Sequence, residues 1–318
     1  MKHWIQAARL RTLPLSVSGI FLGCFYAMSQ GFFNWKIVVF AITTTLGLQV
    51  LSNFANDYGD GIKGTDNEDR VGPKRAIQSG NISPAAMRYA IFITAFLTLI
   101  SAMLLIYSSF KGKYLIYSFA FFVLGILAIA SAIYYTVGKN AYGYRGLGDL
   151  FVFVFFGLVS TIGVYFMFAK HLDWLLFLPA TAIGLLSVGV LNLNNMRDEE
   201  SDRKSNKNTI VVKNGGRWAK KYHFAIISTA MVLVLLFAII FDFSYRDPNP
   251  ETFNFDIYFF IIAYIPIILH LKRVAKNTEP KLLDPELKKL ALSTFLLAIL
   301  MSLSLIYFIS DFLIYNTN

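Results

Sequence analysis

Residues 53–75 read Asn-Phe-Ala-Asn-Asp-Tyr-Gly-Asp-Gly-Ile-Lys-Gly-Thr-Asp-Asn-Glu-Asp-Arg-Val-Gly-Pro-Lys-Arg, where an apolar run changes abruptly into acids, amides, glycines and basic residues. Asn53, Asn56, Asp57 and Asp60 are spaced i, i+3, i+4 and i+7, so a helix would place all four side chains on one face. Carboxylates stacked on one face repel each other unless a positive charge lies between them. The spacing therefore predicts a cation site at the end of a helix.

A second acidic segment occurs later in the chain, again at the end of an apolar run. Its Asn194, Asp198 and Asp202 side chains are spaced i, i+4 and i+8, which predicts a second polar helix face. Solvated loop charges would not need this repeated spacing. Oxygen ligands without His or Cys nearby favour Mg²⁺ or Mn²⁺ over zinc. Because Mg²⁺ commonly bridges carboxylates and substrate phosphates, the pattern indicates a phosphate ester or a diphosphate as substrate.

The composition is typical of an all-α protein that crosses a membrane many times. Hydrophobic residues make up 56% of the 318 residues and charged residues 15%, which argues against a pair of soluble domains. Runs long enough to cross about 30 Å of hydrocarbon recur along the whole chain. We predict a single domain over residues 1–318 with nine helices, near 13–30, 36–56, 84–108, 114–137, 149–169, 174–196, 222–242, 256–272 and 287–310.

The distribution of charge predicts the orientation in the membrane. The loops on the side of the N-terminus carry most of the 29 Lys and Arg residues. The opposite side carries few of them, namely Lys36, Lys111, Lys113, Lys170 and Arg246. The positive-inside rule therefore predicts that the N-terminus and both acidic segments are cytoplasmic. On this interpretation the net charge of +10 reflects membrane topology and not nucleic-acid binding. The basic cluster at 272–289 anchors the cytoplasmic ends of the neighbouring membrane helices.

Some basic residues lie beside the acidic or glycine-rich segments, where we expect contacts with a diphosphate or a carboxylate rather than anchoring alone. They are Lys74, Arg75, Lys139, Arg145 and Lys207. Tyr135 precedes Lys139 by four residues, which predicts one helix face for this pair. With the apolar helices, these groups indicate a substrate with a diphosphate head and a hydrocarbon tail, held where water is excluded. No role is predicted for the four His residues.

Short polar motifs recur through most of the chain. They read Arg9-Leu-Arg-Thr-Leu-Pro14, Asn53-Phe-Ala-Asn-Asp-Tyr-Gly-Asp60, Gly64-Thr-Asp66, Asp69-Arg-Val-Gly-Pro73, Tyr135-Thr-Val-Gly138, Gly143-Tyr-Arg-Gly-Leu-Gly-Asp149, Asn194-Asn-Met-Arg-Asp-Glu-Glu-Ser-Asp202-Arg203 and Lys207-Asn-Thr209. This set resembles the motifs of the UbiA-type intramembrane prenyltransferases. The stretch at 143–149 is similar to that of the branch using 1,4-dihydroxy-2-naphthoate rather than 4-hydroxybenzoate.

The resemblance implies a nine-helix transmembrane bundle around a central cavity that opens to the cytoplasm. It implies two Mg²⁺ ions on the substrate diphosphate, with Mn²⁺ as an alternative. It also implies that Tyr135 and Lys139 lie near the leaving group and that Asn56 contacts the substrate. The implied metal ligands are Asn53, Asp57, Asp60, Asn194, Asp198 and Asp202.

Two positions depart from the family pattern. The last acid of the first motif is replaced by Gly64, and Asp66 would substitute for it. Where the second motif often continues with Gly-Lys, this chain has Asn206-Lys207.

The activity that the resemblance implies is transfer of a polyprenyl group from polyprenyl diphosphate to 1,4-dihydroxy-2-naphthoate. The carboxylate would leave as CO₂, giving demethylmenaquinone in the cytoplasmic membrane of a bacterium. Arg145 and Arg11 are candidates for binding the carboxylate of the acceptor. Another aromatic acceptor, such as 4-hydroxybenzoate, is an alternative within this class. A cation-coupled transporter is an alternative of another class, but it predicts acids near the membrane midplane and discontinuous helices.

Overall fold

The computed structural model describes the backbone of residues 1–66, 71–245 and 255–316, so the Asp69-Arg70 part of one motif lies outside it. Within these ranges, nine helices are long and apolar enough to cross a membrane, as predicted. They are α1 Leu13–Ser29, α2 Trp35–Ile62, α3 Pro84–Phe110, α4 Leu115–Tyr134, α5 Gly148–Ala169, α6 Phe177–Arg197, α7 Gly216–Tyr245, α8 Asp256–Lys276 and α9 Leu283–Asn316.

Shorter helices precede or connect these spans. They cover Lys2–Ala8, Leu10–Thr12, Tyr142–Arg145, Glu199–Lys204, Ile210–Asn214 and Pro280–Leu282. The helix Lys2–Ala8 was not predicted from the sequence. It packs on α2, where the Trp4 ring meets the edge of Phe54 at a centroid distance of 5.6 Å.

Local sequence explains where several spans begin and end. Ser83 caps α3 by accepting a hydrogen bond from the Ala86 amide, and Pro84 occupies the first turn, where its missing N–H costs nothing. α2 continues to Ile62 instead of ending near residue 56, so the whole first acidic motif is helical. α6 ends at Arg197, inside the second motif.

The most buried spans are α1 and α6, which lie among the other helices. α6 packs against α5, α7 and α9, and α1 packs against α9. At one crossing a Cβ on Gly157 of α5 would lie 2.6 Å from Cα of Gly184 in α6, so only glycine permits this approach. Residues Phe153–Gly163 of α5 have the wider turn of a π-helix.

α4 lies at the periphery. Ala128 is its one buried residue, whereas Ile116, Phe119 and Leu127 are exposed. A helix satisfies its own backbone hydrogen bonds and can therefore present such residues to lipid. This arrangement is that of a multi-pass membrane protein.

Candidate active site

A cavity of about 350 Å³ lies between α1–α6 and α9. Its wall is mainly apolar, with Leu105, Phe121 and Phe155 among the lining residues. The charged and amide side chains that line it are Arg9, Gln49, Asn53, Asn56, Asp60, Arg75, Asn194 and Lys207. A polar group of this kind in an apolar pocket can orient the head of an amphipathic ligand.

Lys207 joins the two acidic motifs. Its Nζ atom lies 3.7 Å from Oδ2 of Asp60 and 3.5 Å from Oδ1 of Asp202. Asn206 has φ 54°, the left-handed conformation that glycine would adopt and that Asn tolerates, and the turn lets the Lys207 amide donate to the Asp202 carbonyl at 2.8 Å. The two motifs therefore meet at Lys207.

The charges of this cluster are coupled. Burial alone would lower the pKa of Lys207, but the carboxylates of Asp60 and Asp202 raise it well above its ordinary value. Burial raises the pKa of Asp202 to about 6, although Lys207 partly offsets this effect. Lys207 therefore remains charged, whereas Asp202 is close to its titration range near neutral pH.

Tyr144 holds Asp60 in place. Its hydroxyl donates to Oδ1 of Asp60 at 2.7 Å and therefore accepts from Oγ1 of Thr65 at 2.6 Å. Its carbonyl accepts a hydrogen bond from the Asn208 amide at 3.0 Å. Tyr144 thus connects the first motif to the loop that carries Lys207. Tyr144 was not among the predicted site residues, although it belongs to the motif at 143–149.

The remaining acids of the first motif contact Arg75. Nε of Arg75 lies 3.9 Å from Oδ1 of Asp57 and 3.8 Å from Oδ1 of Asp66. Asp57 also accepts a hydrogen bond from the Ala76 amide at 3.3 Å. Gly64 has φ 71°, a conformation in which the family's acid would be strained, and Asp66 is buried two residues later.

The predicted continuous face of the second motif is wrong. The helix ends at Arg197, and a separate short helix begins at Glu199, because Asp198 has φ −100° and ψ 12°. Asp198 forms a bidentate pair with Arg197, with distances of 2.9 and 2.6 Å, while Asp202 turns toward Lys207. Asn194 lines the cavity, and its Oδ1 accepts a hydrogen bond from Arg197 at 2.9 Å.

The two amides of the first motif already have protein partners. Asn53 donates to the carbonyl of Ala8 at 2.9 Å, and Oδ1 of Asn56 accepts from Thr136 at 3.2 Å. Thr136 approaches α2 closely at Gly59, where a Cβ would lie 2.7 Å from its carbonyl oxygen. Both amides line the cavity and fix the segments next to it.

The predicted shared face of Tyr135 and Lys139 is also wrong. α4 ends at Tyr134, Gly138 has φ 92°, and Lys139 is exposed outside the cavity wall. Tyr135 does line the cavity, and its ring meets the edge of Tyr142 at 5.3 Å. Burial raises the pKa of Tyr135 to about 12, so its hydroxyl stays protonated.

Three other predicted basic residues do not line the cavity. Lys74, Arg145 and Arg11 are exposed, and Arg11 lies 3.5 Å from Asp284 at the start of α9. Arg9, two residues before Arg11, lines the cavity instead. Its left-handed backbone, with φ 51°, separates the helix Lys2–Ala8 from the next turn. The roles of these residues stay predictions.

The oxygen donors fit a magnesium site that a ligand would complete. Among the residues that the structure describes, no three acidic, His or Cys side chains are close enough to form a metal site alone. Lys207, Arg75 and Arg197 pair with the carboxylates instead. However, Oδ2 of Asp202 is buried and accepts no hydrogen bond from any described residue. Carboxylate oxygens of this kind are the ligands that Mg²⁺ prefers.

The chain is similar along most of its length to named prenyltransferases. The chain is 40% identical over 309 residues to the 1,4-dihydroxy-2-naphthoate octaprenyltransferase of Haemophilus influenzae, covering 96% of both chains. It is 43% identical over 240 residues to the enzyme of the same name from Escherichia coli, covering 74% of this chain and 75% of that enzyme.

Solved structures share the fold. A UbiA homolog from Aeropyrum pernix K1 superposes with a TM-score of 0.64 at 16% identity, covering 98% of this chain and 99% of the homolog. A UbiA homolog from Archaeoglobus fulgidus bound to DMAPP and Mg²⁺ gives 0.59 at 14% identity, covering 94% and 99%. Residues 16–246 match the UbiA prenyltransferase family. The chain therefore belongs to the UbiA prenyltransferase family.

Proposed function

We propose that this protein transfers a polyprenyl group from polyprenyl diphosphate to 1,4-dihydroxy-2-naphthoate, with release of CO₂ and formation of demethylmenaquinol, the reduced form of demethylmenaquinone. The relatives from Haemophilus influenzae and Escherichia coli, both named 1,4-dihydroxy-2-naphthoate octaprenyltransferase, support the acceptor. The observation that carries the proposal is the position of Lys207 between Asp60 and Asp202, at the wall of a mainly apolar cavity.

The diphosphate would bind where the two motifs meet. Lys207 and Arg75 line the cavity and now contact the carboxylates of Asp60 and Asp57. When the diphosphate binds, they would contact its phosphate oxygens instead. Asp60 and Asp202 would then hold Mg²⁺, with further ligands from the two motifs: Asn53, Asp57, Asp66, Asn194 and Asp198. When bound, two Mg²⁺ ions, or Mn²⁺ in their place, would supply the positive charge that stabilises the departing diphosphate.

The cavity wall suits the allylic carbon chain that remains when the diphosphate departs. Tyr135, Tyr142 and Phe151 line it, and the rings of Tyr142 and Phe151 stack at 4.0 Å. Aromatic faces attract a developing allylic cation, while the apolar lining excludes water that would trap it. Because Tyr135 stays protonated, it would donate a hydrogen bond rather than act as a base.

Bond changes in the transfer balance without a redox partner. The allylic C–O bond breaks and its electron pair leaves on the diphosphate. The ring carbon that carries the carboxylate forms the new C–C bond, and the carboxylate then leaves as CO₂ and returns an electron pair to the ring. We assign the binding of this carboxylate to Arg9, which lines the cavity together with Thr12 and Gln49. Arg9 is preferred to Arg11 and Arg145 because both of these are exposed and do not line the cavity.

We place this site on the cytoplasmic side of a bacterial cytoplasmic membrane, because the basic loops and both motifs share one side. The test uses purified protein, one labelled polyprenyl diphosphate and two acceptors in separate reactions. The proposal predicts a prenylated product and CO₂ with 1,4-dihydroxy-2-naphthoate. A product with 4-hydroxybenzoate alone would contradict the proposed acceptor, and no product with either would contradict prenyl transfer.

A further inference from the structure

We infer that Asp284, in the first turn of α9, is a positioning residue for the second acidic motif and acts through Arg197. The inference rests on the proposed function, in which Asn194 and Asp198 serve the diphosphate site. Asp284 lies beyond residues 16–246, the part of the chain that matches the family, so the family match assigns it no role.

Arg197 is the centre of this arrangement. Its side chain is 1% exposed, and its guanidinium donates to both carboxylate oxygens of Asp198 and to Oδ1 of Asn194. Its Nη1 atom donates to Oδ1 of Asp284. A planar guanidinium with hydrogen bonds on three sides has one orientation, so it fixes the side chains that it contacts.

Asp284 provides the contact that comes from another helix. Within the described residues, Asn194 and Asp198 belong to the same helix end as Arg197, whereas Asp284 belongs to α9. These three residues could rotate together with the helix end without breaking their contacts with one another. The bond to Asp284 therefore sets the direction in which Arg197 presents Asn194 and Asp198 to the cavity.

A second buried connection fixes the start of α9 relative to α6. Nδ1 of His270 lies 2.8 Å from Glu286, and Nε2 of His270 lies 2.9 Å from Nε2 of His223. Nδ2 of Asn192 lies 3.5 Å from Nδ1 of His223 and donates to the Ala219 carbonyl at 3.0 Å. His223 and His270 are fully buried.

The groups at the two ends of this row of hydrogen bonds determine which atom donates in each bond. The Glu286 carboxylate accepts from Nδ1 of His270, so Nε2 of His270 accepts from His223, and Nδ1 of His223 accepts from Asn192. α9 is thus tied to α6 on both sides of Asn194, through Asn192 and through Arg197. Asp284 is consequently held at a defined position from which it orients Arg197.

The expected effect is that of an outer-shell partner of a metal ligand. Replacing such a partner typically weakens metal binding about 10–100-fold while the ligands themselves remain. Asp284→Asn keeps the size of the side chain and removes its charge, so Arg197 loses its ion pair with α9. Asn194 and Asp198 then lose their fixed orientation.

The test measures Mn²⁺ binding by electron paramagnetic resonance, using the full chain in lipid nanodiscs with a non-hydrolysable prenyl thiolodiphosphate. The variants are Asp284→Asn, Asp284→Glu, Asp198→Ala and the matched control Glu279→Gln, which removes an exposed carboxylate just before α9. Thermal unfolding of each variant accompanies the titration. We expect Mn²⁺ affinity to fall about tenfold in Asp284→Asn, to recover partly in Asp284→Glu and to stay unchanged in Glu279→Gln.

A double-mutant cycle identifies the path. If Asp284 acts through Arg197 on Asp198, the effects of Asp284→Asn and Asp198→Ala on affinity are non-additive. Equal affinity in Asp284→Asn and Glu279→Gln, with weak binding in Asp198→Ala, would overturn the inference and leave the proposed function intact. Unchanged affinity in Asp198→Ala would overturn both. Additive effects would overturn the path through Arg197.

Discussion

The hydroxyl of Tyr144 donates a 2.7 Å hydrogen bond to Oδ1 of Asp60, so the loop between α4 and α5 orients an acid of α2. This bond leaves Oδ2 of Asp60 directed toward Lys207, at 3.7 Å. A motif that resembles that of the naphthoate-using branch therefore contacts the proposed diphosphate site.

Tyr144→Phe tests this relationship. The variant keeps the ring and removes the bond to Asp60, so we expect kcat/KM for polyprenyl diphosphate to fall about tenfold. Steady-state kinetics with varied diphosphate would measure the change. Tyr89→Phe is the matched control, because Tyr89 is 73% exposed on α3. Equal losses in both variants would contradict a specific role for the Tyr144 hydroxyl.

Lys207 is expected to be essential because it faces both motifs. Lys207→Met removes the charge that the diphosphate would meet, and we expect activity to fall about 10²-fold or more. Lys204→Met, at an exposed lysine of the neighbouring short helix, serves as the control and should retain activity. Near-normal prenyl transfer by Lys207→Met would exclude the proposed diphosphate contact.

Arg9 is expected to act on the acceptor alone. Arg9→Gln should raise KM for 1,4-dihydroxy-2-naphthoate about tenfold or more, since a charged hydrogen bond to the carboxylate would be lost. KM for the diphosphate should change little. The two KM values, measured with each substrate varied in turn, separate these effects. A rise confined to the diphosphate KM would assign Arg9 to the leaving group instead.

Asp202 should reduce the stability of the metal-free protein at neutral pH. Its pKa is about 6 in the folded protein, whereas an unperturbed Asp has a pKa of about 4. A carboxyl group whose pKa is higher in the folded than in the unfolded protein contributes stability that is fully present below its unfolded-state pKa. This stability is lost as the pH rises through its folded-state pKa. We therefore expect metal-free Asp202→Asn to unfold at a higher temperature than the unsubstituted protein near pH 7, although it lacks activity.

Thermal unfolding at several pH values checks this sign. The advantage of Asp202→Asn should shrink as the pH falls from about 7 to about 4, because Asp202 becomes neutral in both states. A variant that is less stable than the unsubstituted protein near pH 7 would show that the ion pair with Lys207 outweighs the cost of burying the charge.

Sequence spacing predicted the parts of the site that depend on local geometry. Of the four residues predicted to share one helix face, Asn53, Asn56 and Asp60 line the cavity because α2 remains helical through the motif, whereas Asp57 contacts Arg75 and is not part of the cavity wall. The nine spans follow from the length of the apolar runs, and the meeting of the two motifs follows from their placement at the same ends of α2 and α6.

Other parts depend on tertiary contacts or on single backbone angles. The end of α4 at Tyr134 could not be located, because Tyr135 and Val137 continue the apolar run, and Gly138 turns the chain only afterwards. Asp284 lies in the basic segment 272–289, which was predicted to be a membrane anchor, and its buried partner Arg197 belongs to α6. His223 and His270 lie on different helices, so their contact has no signal in the sequence.

The central claim is that the two acidic motifs hold a single diphosphate between them. The most direct measurement is an experimental structure of the protein with Mg²⁺ and a non-hydrolysable prenyl thiolodiphosphate. We predict diphosphate density between Asp60 and Asp202, with Nζ of Lys207 on a phosphate oxygen and the prenyl chain in the apolar cavity. A diphosphate bound elsewhere, with Lys207 still between the two carboxylates, would contradict the claim.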